Sequence, residues 1–202
     1  TKEYFEKELK LYQKEAEQME KVFEVETPDP ILNIQVNTWL KRQIALGKTW
    51  GRVYGKGFRD VMQDISAFVS LDSSLARERI LHTLRYQKKD GNTIRQFDPI
   101  FDYPYRDGAC WIPATILSYL KESNDATILE EKVAYYDDEK EETVLEHMLK
   151  GLDFLLNQKG EHHLTLWGGG DWNDSLNNCG RKGKGESVWL SIATIKAVHD
   201  LE

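Results

Sequence analysis

Cysteine, methionine and proline are scarce in this sequence, at 2, 3 and 5 residues of 202. Cys110 and Cys179 form no Cys-x-x-Cys pair, so they offer neither a disulfide framework nor a thiolate zinc site. Both are expected to be buried free thiols in a reducing cytoplasm. His162-His163 is the one adjacent histidine pair, with neither cysteine neighbours nor i, i+4 helical spacing, and no metal site is expected. No apolar run approaches the ~20 residues that cross a bilayer. The opening Thr-Lys-Glu-Tyr-Phe-Glu-Lys-Glu lacks a signal peptide's basic flank, apolar stretch and cleavage site, so no membrane partner and no export are expected. Positive charge is short as well: 27 Lys and Arg face 34 Asp and Glu, a net charge of −7. Binding a phosphate backbone needs a concentration of Lys and Arg, so nucleic acid is not an expected partner. The one basic stretch, Arg181-Lys182-Gly183-Lys184, suits at most an anion the size of phosphate. Strand-like patterns are sparse, Leu164-Thr165-Leu166-Trp167 being the short extended candidate. No fixed-period repeat is visible, which disfavours a solenoid.

What is present is helical periodicity. From Thr1 to about Glu24, Phe5, Leu9, Tyr12, Met19 and Phe23 form one apolar stripe on a long charged helix. Thr27-Pro28-Asp29-Pro30 breaks it, because proline lacks an amide hydrogen and restricts its neighbour. Residues 1–26 therefore read as a linker helix and 27–202 as a further domain. Within that domain the stripes are Ile31, Ile34, Trp39, Ile44, Leu46, then Val61, Met62, Ile65, Phe68, Val69. A helix capped by Ser73-Ser74 follows and runs to about Gln87. A helix over 109–122 turns Ile112, Ile116, Leu117 and Leu120 inward, with Pro113 in its first turn. The spacing predicts another over 142–157 through Val144, Leu145, Met148, Leu152 and Leu155. The last, from about Glu186, carries Val188, Trp189, Ile192, Ile195 and Val198. About seven helices joined by loops rich in Gly, Asp, Trp and Tyr make the chain all-α, with chemistry on the loops.

Three stretches could carry that chemistry. In Trp167-Gly168-Gly169-Gly170-Asp171-Trp172-Asn173-Asp174, the glycines suit close backbone approach to a ligand. The indoles suit the C–H face of a pyranose, and a carboxyl could protonate a glycosidic oxygen. The competing reading is a tight turn whose tryptophans fill the core. In Gly55-Lys56-Gly57-Phe58-Arg59-Asp60-Val61-Met62-Gln63-Asp64, Asp60 and Asp64 share a helix face; acids there also simply suit the helix dipole. Gly180-Arg181-Lys182-Gly183-Lys184-Gly185-Glu186-Ser187-Val188-Trp189-Leu190 departs from a phosphate loop in residue order and lacks a preceding strand, so it reads as a flexible loop opening a helix.

In this order the three stretches resemble glycoside hydrolase family 94, which holds the phosphorylases of cellobiose, chitobiose, cellodextrins, laminaribiose and β-1,2-glucans. Tyr105-Arg106-Asp107-Gly108-Ala109-Cys110-Trp111-Ile112-Pro113 looks like the family's helix entry near the substrate face. The likeness spans roughly residues 28 to 200.

The resemblance implies an (α/α)6 toroid catalytic domain, preceded by a linker helix and present here as roughly its first half. It implies an inverting glycoside phosphorylase, a hexosyltransferase in reaction type, with Asp174 as general acid. Trp172 would line the sugar subsite, and Arg59 with Asp64 would hold the glycosyl unit, Asp60 being their neighbour. A β-linked gluco-disaccharide or oligosaccharide would be the substrate and inorganic phosphate the co-substrate, with no cofactor. Phosphate is already an anionic nucleophile, so no second carboxylate is needed to activate water. Asp174 must be protonated at working pH, which calls for a shielded site. Ser175 stands where many members have glycine, and Gly51-Arg52-Val53-Tyr54-Gly55-Lys56-Gly57 inclines the reading toward β-1,2-linked glucans. Half a toroid exposes apolar helix faces, so a homo-oligomer or the remainder of a longer chain is expected to cover them, and the isolated chain is expected to be inactive. The alternatives are an inverting hydrolase on the same toroid and a non-catalytic helical module that binds glycan or protein.

Overall fold

In the computed structural model, residues 1–176 and 178–202 are described. The protein is all-α apart from short β-pairings, and it divides into two compact units, Thr1–Gly51 and Arg52–Glu202. The boundary expected at residue 26/27 lies inside the first unit.

The reason is a set of side-chain ties across the proline break. Helix α1 (Lys2–Glu20) starts at Thr1, whose hydroxyl accepts from the Tyr4 amide. Helix α2 (Pro30–Ile34) starts at Asp29, with proline in its first turn where a missing N–H costs nothing. It continues through a π turn, Gln35–Leu40, into α3 (Lys41–Trp50). Asn33 and Asn37 bond the backbone of Thr27 and Val25, and buried Lys41 donates to the carbonyls of Glu20 and Phe23. Phe5, Leu9, Tyr12, Ile31, Ile34, Trp39 and Leu46, the apolar stripes read in this region, lie exposed.

The second unit holds the site. Strand β1 (Lys56–Gly57) pairs antiparallel with β2 (Gln96–Phe97) and delivers the chain into α4 (Phe58–Phe68). Phe58, Val61, Met62, Ile65 and Phe68 are buried at helical spacing, and burial of such side chains is worth about 1.5–3 kcal/mol each. Helix α5 (Ser73–Leu84) is capped by Asp72, which accepts from the Leu75 amide; Ser73 and Ser74 are its first-turn residues rather than its cap, and it ends three residues short of Gln87. A 3-10 turn, Asp107–Cys110, leads into α6 (Trp111–Ser123), which stops where Asn124 turns left-handed. Ile112 and Ile116 are buried, whereas Leu117 and Leu120 are half-buried.

A charged hairpin, β3 (Lys132–Ala134) with β4 (Glu141–Thr143), then feeds α7 (Val144–Asn157) through a capping box of Thr143 and Glu146. Helix α8 (Val188–Leu201) begins at Ser187, whose Oγ accepts from the Leu190 amide. Helices α4, α5 and α6 pack on one another, and α8 lies against α6 and α7.

One residue of the α7 stripe and most of the α8 stripe face the other way from expectation. Leu145 on α7 is exposed, and on α8 Val188, Ile192 and Ile195 are 61%, 63% and 60% exposed while Leu190, Ser191, Thr194 and Ala197 are buried. Helix α8 is apolar on more than one face, so its periodicity alone does not choose the inner one. Leu164-Thr165-Leu166-Trp167 is extended only through isolated bridges, Lys159 to Thr165 and Leu166 to Glu186. No helix among the described residues is long and apolar enough to cross a membrane. Cys110 is buried, but Cys179 is exposed on the loop before α8, against the expectation that both thiols are buried.

Candidate active site

Arg59, at the second position of α4, gathers the site. Its Nη1 donates to Asp107 Oδ2 at 2.9 Å and to the Asp171 carbonyl at 3.1 Å, and its Nη2 donates to both carboxylate oxygens of Asp174 at 2.8 Å. One guanidinium thus joins α4, the turn before α6 and the glycine-rich loop. Burial works against its charge, yet Asp107 and then Asp174 outweigh it, and the Arg59 pKa is raised. Asp107 is 2% exposed; burial pushes its carboxyl up, and Arg59 pulls in the opposite direction.

The loop carrying Asp174 is fixed from beneath. Buried Asp171 accepts from the Asn173 amide at 2.8 Å through Oδ1, the Asx turn that tightens Asp-x-Asn. Its Oδ2 accepts from Ser187 Oγ at 2.5 Å, tying the loop to the start of α8. The Gly169 amide donates to the Pro104 carbonyl, and the Arg106 amide to the Gly170 carbonyl. Gly168 has φ of +64°, which glycine tolerates, and Gly180 packs so close that a Cβ there would sit 1.7 Å from the Gly168 carbonyl oxygen. Gly180→Ala is therefore expected to displace the loop and lower stability by about 1–3 kcal/mol, the usual range for overpacking. Thermal melting checks this, and an unchanged midpoint would show that the loop can shift freely.

The residues named from sequence divide as follows. Arg59, Asp60 and Asp174 come together. Asp174 opens a short 3-10 turn, and its side chain is 54% exposed. Among the described residues it lies at the surface over Arg59, without the shielding expected around it. Asp64 does not join Arg59; one turn further along α4 it takes Arg52 Nε and Nη2 at 2.8 and 2.9 Å. Trp172 is 49% exposed and stacks on Trp189 at 5.9 Å, which in turn sits 6.2 Å from Trp111. Trp167 instead fills the core, as the turn reading has it, whereas Trp172 stays half exposed. The sequence alone gives Asp107, Asp171, Arg95 and Ser187 no individual role. Asp107 stood inside Tyr105-Arg106-Asp107-Gly108, and Asp171 and Ser187 carried the local signals of an Asx turn and a helix cap. Among the described residues no group of His, Cys, Asp and Glu could hold a metal ion.

Comparison with known proteins identifies the family. The family model described as the glycosyl hydrolase 94 superfamily, catalytic domain, matches residues 16–201. Solabiose phosphorylase of Paenibacillus borealis is 46% identical over 87% of this chain and 23% of its own length. From the same organism, 3-O-beta-D-glucopyranosyl-beta-D-glucuronide phosphorylase is 31% identical over 89% of this chain and 24% of its own length. Cyclic beta-(1,2)-glucan synthase NdvB of Rhizobium meliloti is 34% identical over 84% of this chain and 7% of its own length. The chain thus spans about a quarter of the length of the two phosphorylases. With that match running through all three loop motifs, the chain belongs to the glycosyl hydrolase 94 family.

Proposed function

We propose that this chain carries the acid-bearing part of an inverting glycoside phosphorylase acting on a β-linked disaccharide or oligosaccharide. The carrying observation is Asp174, an accessible carboxylate beside exposed Trp172 on a loop anchored by buried Asp171. Asp174 donates its proton to the glycosidic oxygen as a phosphate oxygen bonds the anomeric carbon and the old C–O bond breaks. The products are an α-sugar 1-phosphate and the shortened sugar. Trp172 offers its face to a pyranose, and Asp60, with Asp64 behind it on Arg52, accepts from sugar hydroxyls. Arg59 fixes the geometry from below. To act, the Asp174 side chain rotates off Arg59, and the bound sugar with the rest of the polypeptide supplies the shielding a neutral acid needs. Helices α4 to α8 form an arc of an (α/α)6 toroid, and residues beyond this chain, or a second copy, cover the exposed faces of α7 and α8. Phosphate is held by groups beyond these residues, no cofactor or metal takes part, and the enzyme works in the cytoplasm.

The complete polypeptide, given solabiose, cellobiose, laminaribiose or sophorose with and without inorganic phosphate, is expected to form a sugar 1-phosphate only when phosphate is present. Cleavage indifferent to phosphate would replace this reading with an inverting hydrolase. Glycan binding with no cleavage of any of them would replace it with a binding module.

A further inference from the structure

Arg95 is a cation at the site to which the reading above gives no task. It immediately precedes β2, and its carbonyl accepts from the Phe58 amide at 3.2 Å, so the β1–β2 pairing sets it against the start of α4. Its guanidinium carbon lies 4.7 Å from the centre of the Tyr105 ring, and the side chain is 22% exposed. One edge faces Asp60, with Nη1 3.7 Å from Oδ2; the other faces Asp174, with Nη2 3.8 Å from Oδ1. Both gaps are too long for a direct N–H···O bond. Asp60 is in the same condition, since its contacts to Arg52, Arg59 and Arg95 are 3.8, 3.9 and 3.7 Å. Arg59 and Arg52, by contrast, are matched to carboxylates at 2.8–2.9 Å. A partly buried donor fork facing acceptors it does not reach leaves hydrogen-bonding capacity on both sides.

We propose that Arg95 is a sugar-contacting residue that, between Asp60 and Asp174, reads two hydroxyls on adjacent carbons of the bound hexose. A hydroxyl both accepts and donates. Its oxygen takes an Arg95 N–H while its hydrogen goes to the facing carboxylate, closing a gap that neither a pure donor nor a pure acceptor can close. Along the row Asp60, Arg95, Asp174 the groups run acceptor, donor, donor, acceptor, which is the complement of a vicinal diol. The planar fork fixes the spacing, which a lysine ammonium cannot do. The other oxygen of Asp174, once it leaves Arg59, serves the glycosidic bond. This inference rests on the sugar-site reading but not on phosphate being the nucleophile.

The test is calorimetric binding of D-glucose, D-galactose and their monodeoxy forms to the complete polypeptide without phosphate. Arg95→Met is expected to weaken the preferred hexose ~10- to 100-fold, the factor for one or two charge-assisted hydrogen bonds. In the unaltered protein, the deoxy sugar lacking one of the two hydroxyls loses a similar factor; in Arg95→Met it is expected to bind as well as the parent. Equal weakening for every sugar, or no weakening, overturns the proposal. Should Arg95→Met fail to fold, Arg95→Lys, which keeps a stem over Tyr105 and a charge, is judged by the same comparison. Hexose binding without phosphate-dependent cleavage removes only the phosphorylase reading, whereas no hexose binding by the unaltered protein removes this inference too.

Discussion

Asp174→Asn is expected to lower turnover by about 10²–10⁴-fold in the complete polypeptide, the range for a positioned general acid. Binding of the same sugar should change less than tenfold, because the asparagine keeps the size and one oxygen of the side chain. The loss should shrink on a β-glycoside of 2,4-dinitrophenol, whose leaving group departs without a proton. Turnover within tenfold of the unaltered protein on an ordinary disaccharide would move the acid to another residue. An equal loss on both kinds of leaving group would point to misplacement of the loop instead, since Asp174 is also one of the groups that Arg59 holds.

Arg59→Met should cost the second unit about 3–5 kcal/mol, because removing one partner of a buried ion pair leaves the other charge without compensation. The stranded group is Asp107, 2% exposed, and the Asp171 carbonyl loses a donor at the same time. Urea unfolding of Arg59→Met, Asp107→Asn and the double variant checks this. The double variant is expected to be more stable than Arg59→Met alone, since the orphaned charge is gone. The pH dependence has a definite sign. Burial already raises the Asp107 pKa, and the variant lacks the cation that opposes this. At Asp107 the folded variant therefore binds a proton that the unfolded chain releases, so this group's contribution to stability is fullest at low pH and is lost as pH rises through the raised Asp107 value. A cost below about 1 kcal/mol, or a deficit that grows toward low pH, would show that Arg59 is not the site's anchor.

These two residues mark how far the sequence could be read. Asp174 and Arg59 each stood in a legible loop, but their pairing spans 115 positions and no local pattern announces it. The resemblance sets Asp64 beside Arg59 on the glycosyl unit. The helix places Asp64 a turn onward, where Arg52 reaches it first. Helices α4, α6 and α7 are legible because each buries one stripe; α8 is legible as a helix, but its inner face is not, because apolar residues surround it and only its neighbours decide which face is inner. The β3–β4 hairpin escaped for the opposite reason: Lys132, Glu141 and Glu142 give it little of the apolar character by which strands are recognised. Caps depend on one hydroxyl or carboxylate, so shifts of a residue or two, as from Ser73 to Asp72, are unsurprising.

The run of indoles from Trp172 through Trp189 to Trp111 has an optical consequence. Rings packed this closely couple their strong electronic transitions, so the set should give a paired positive and negative band in far-ultraviolet circular dichroism. Because the outermost chromophore rides two residues ahead of Asp174, that couplet would change sign or collapse when the acid loop moves. The protein therefore carries its own dye-free gauge of loop position, readable in a cuvette before any chemistry occurs.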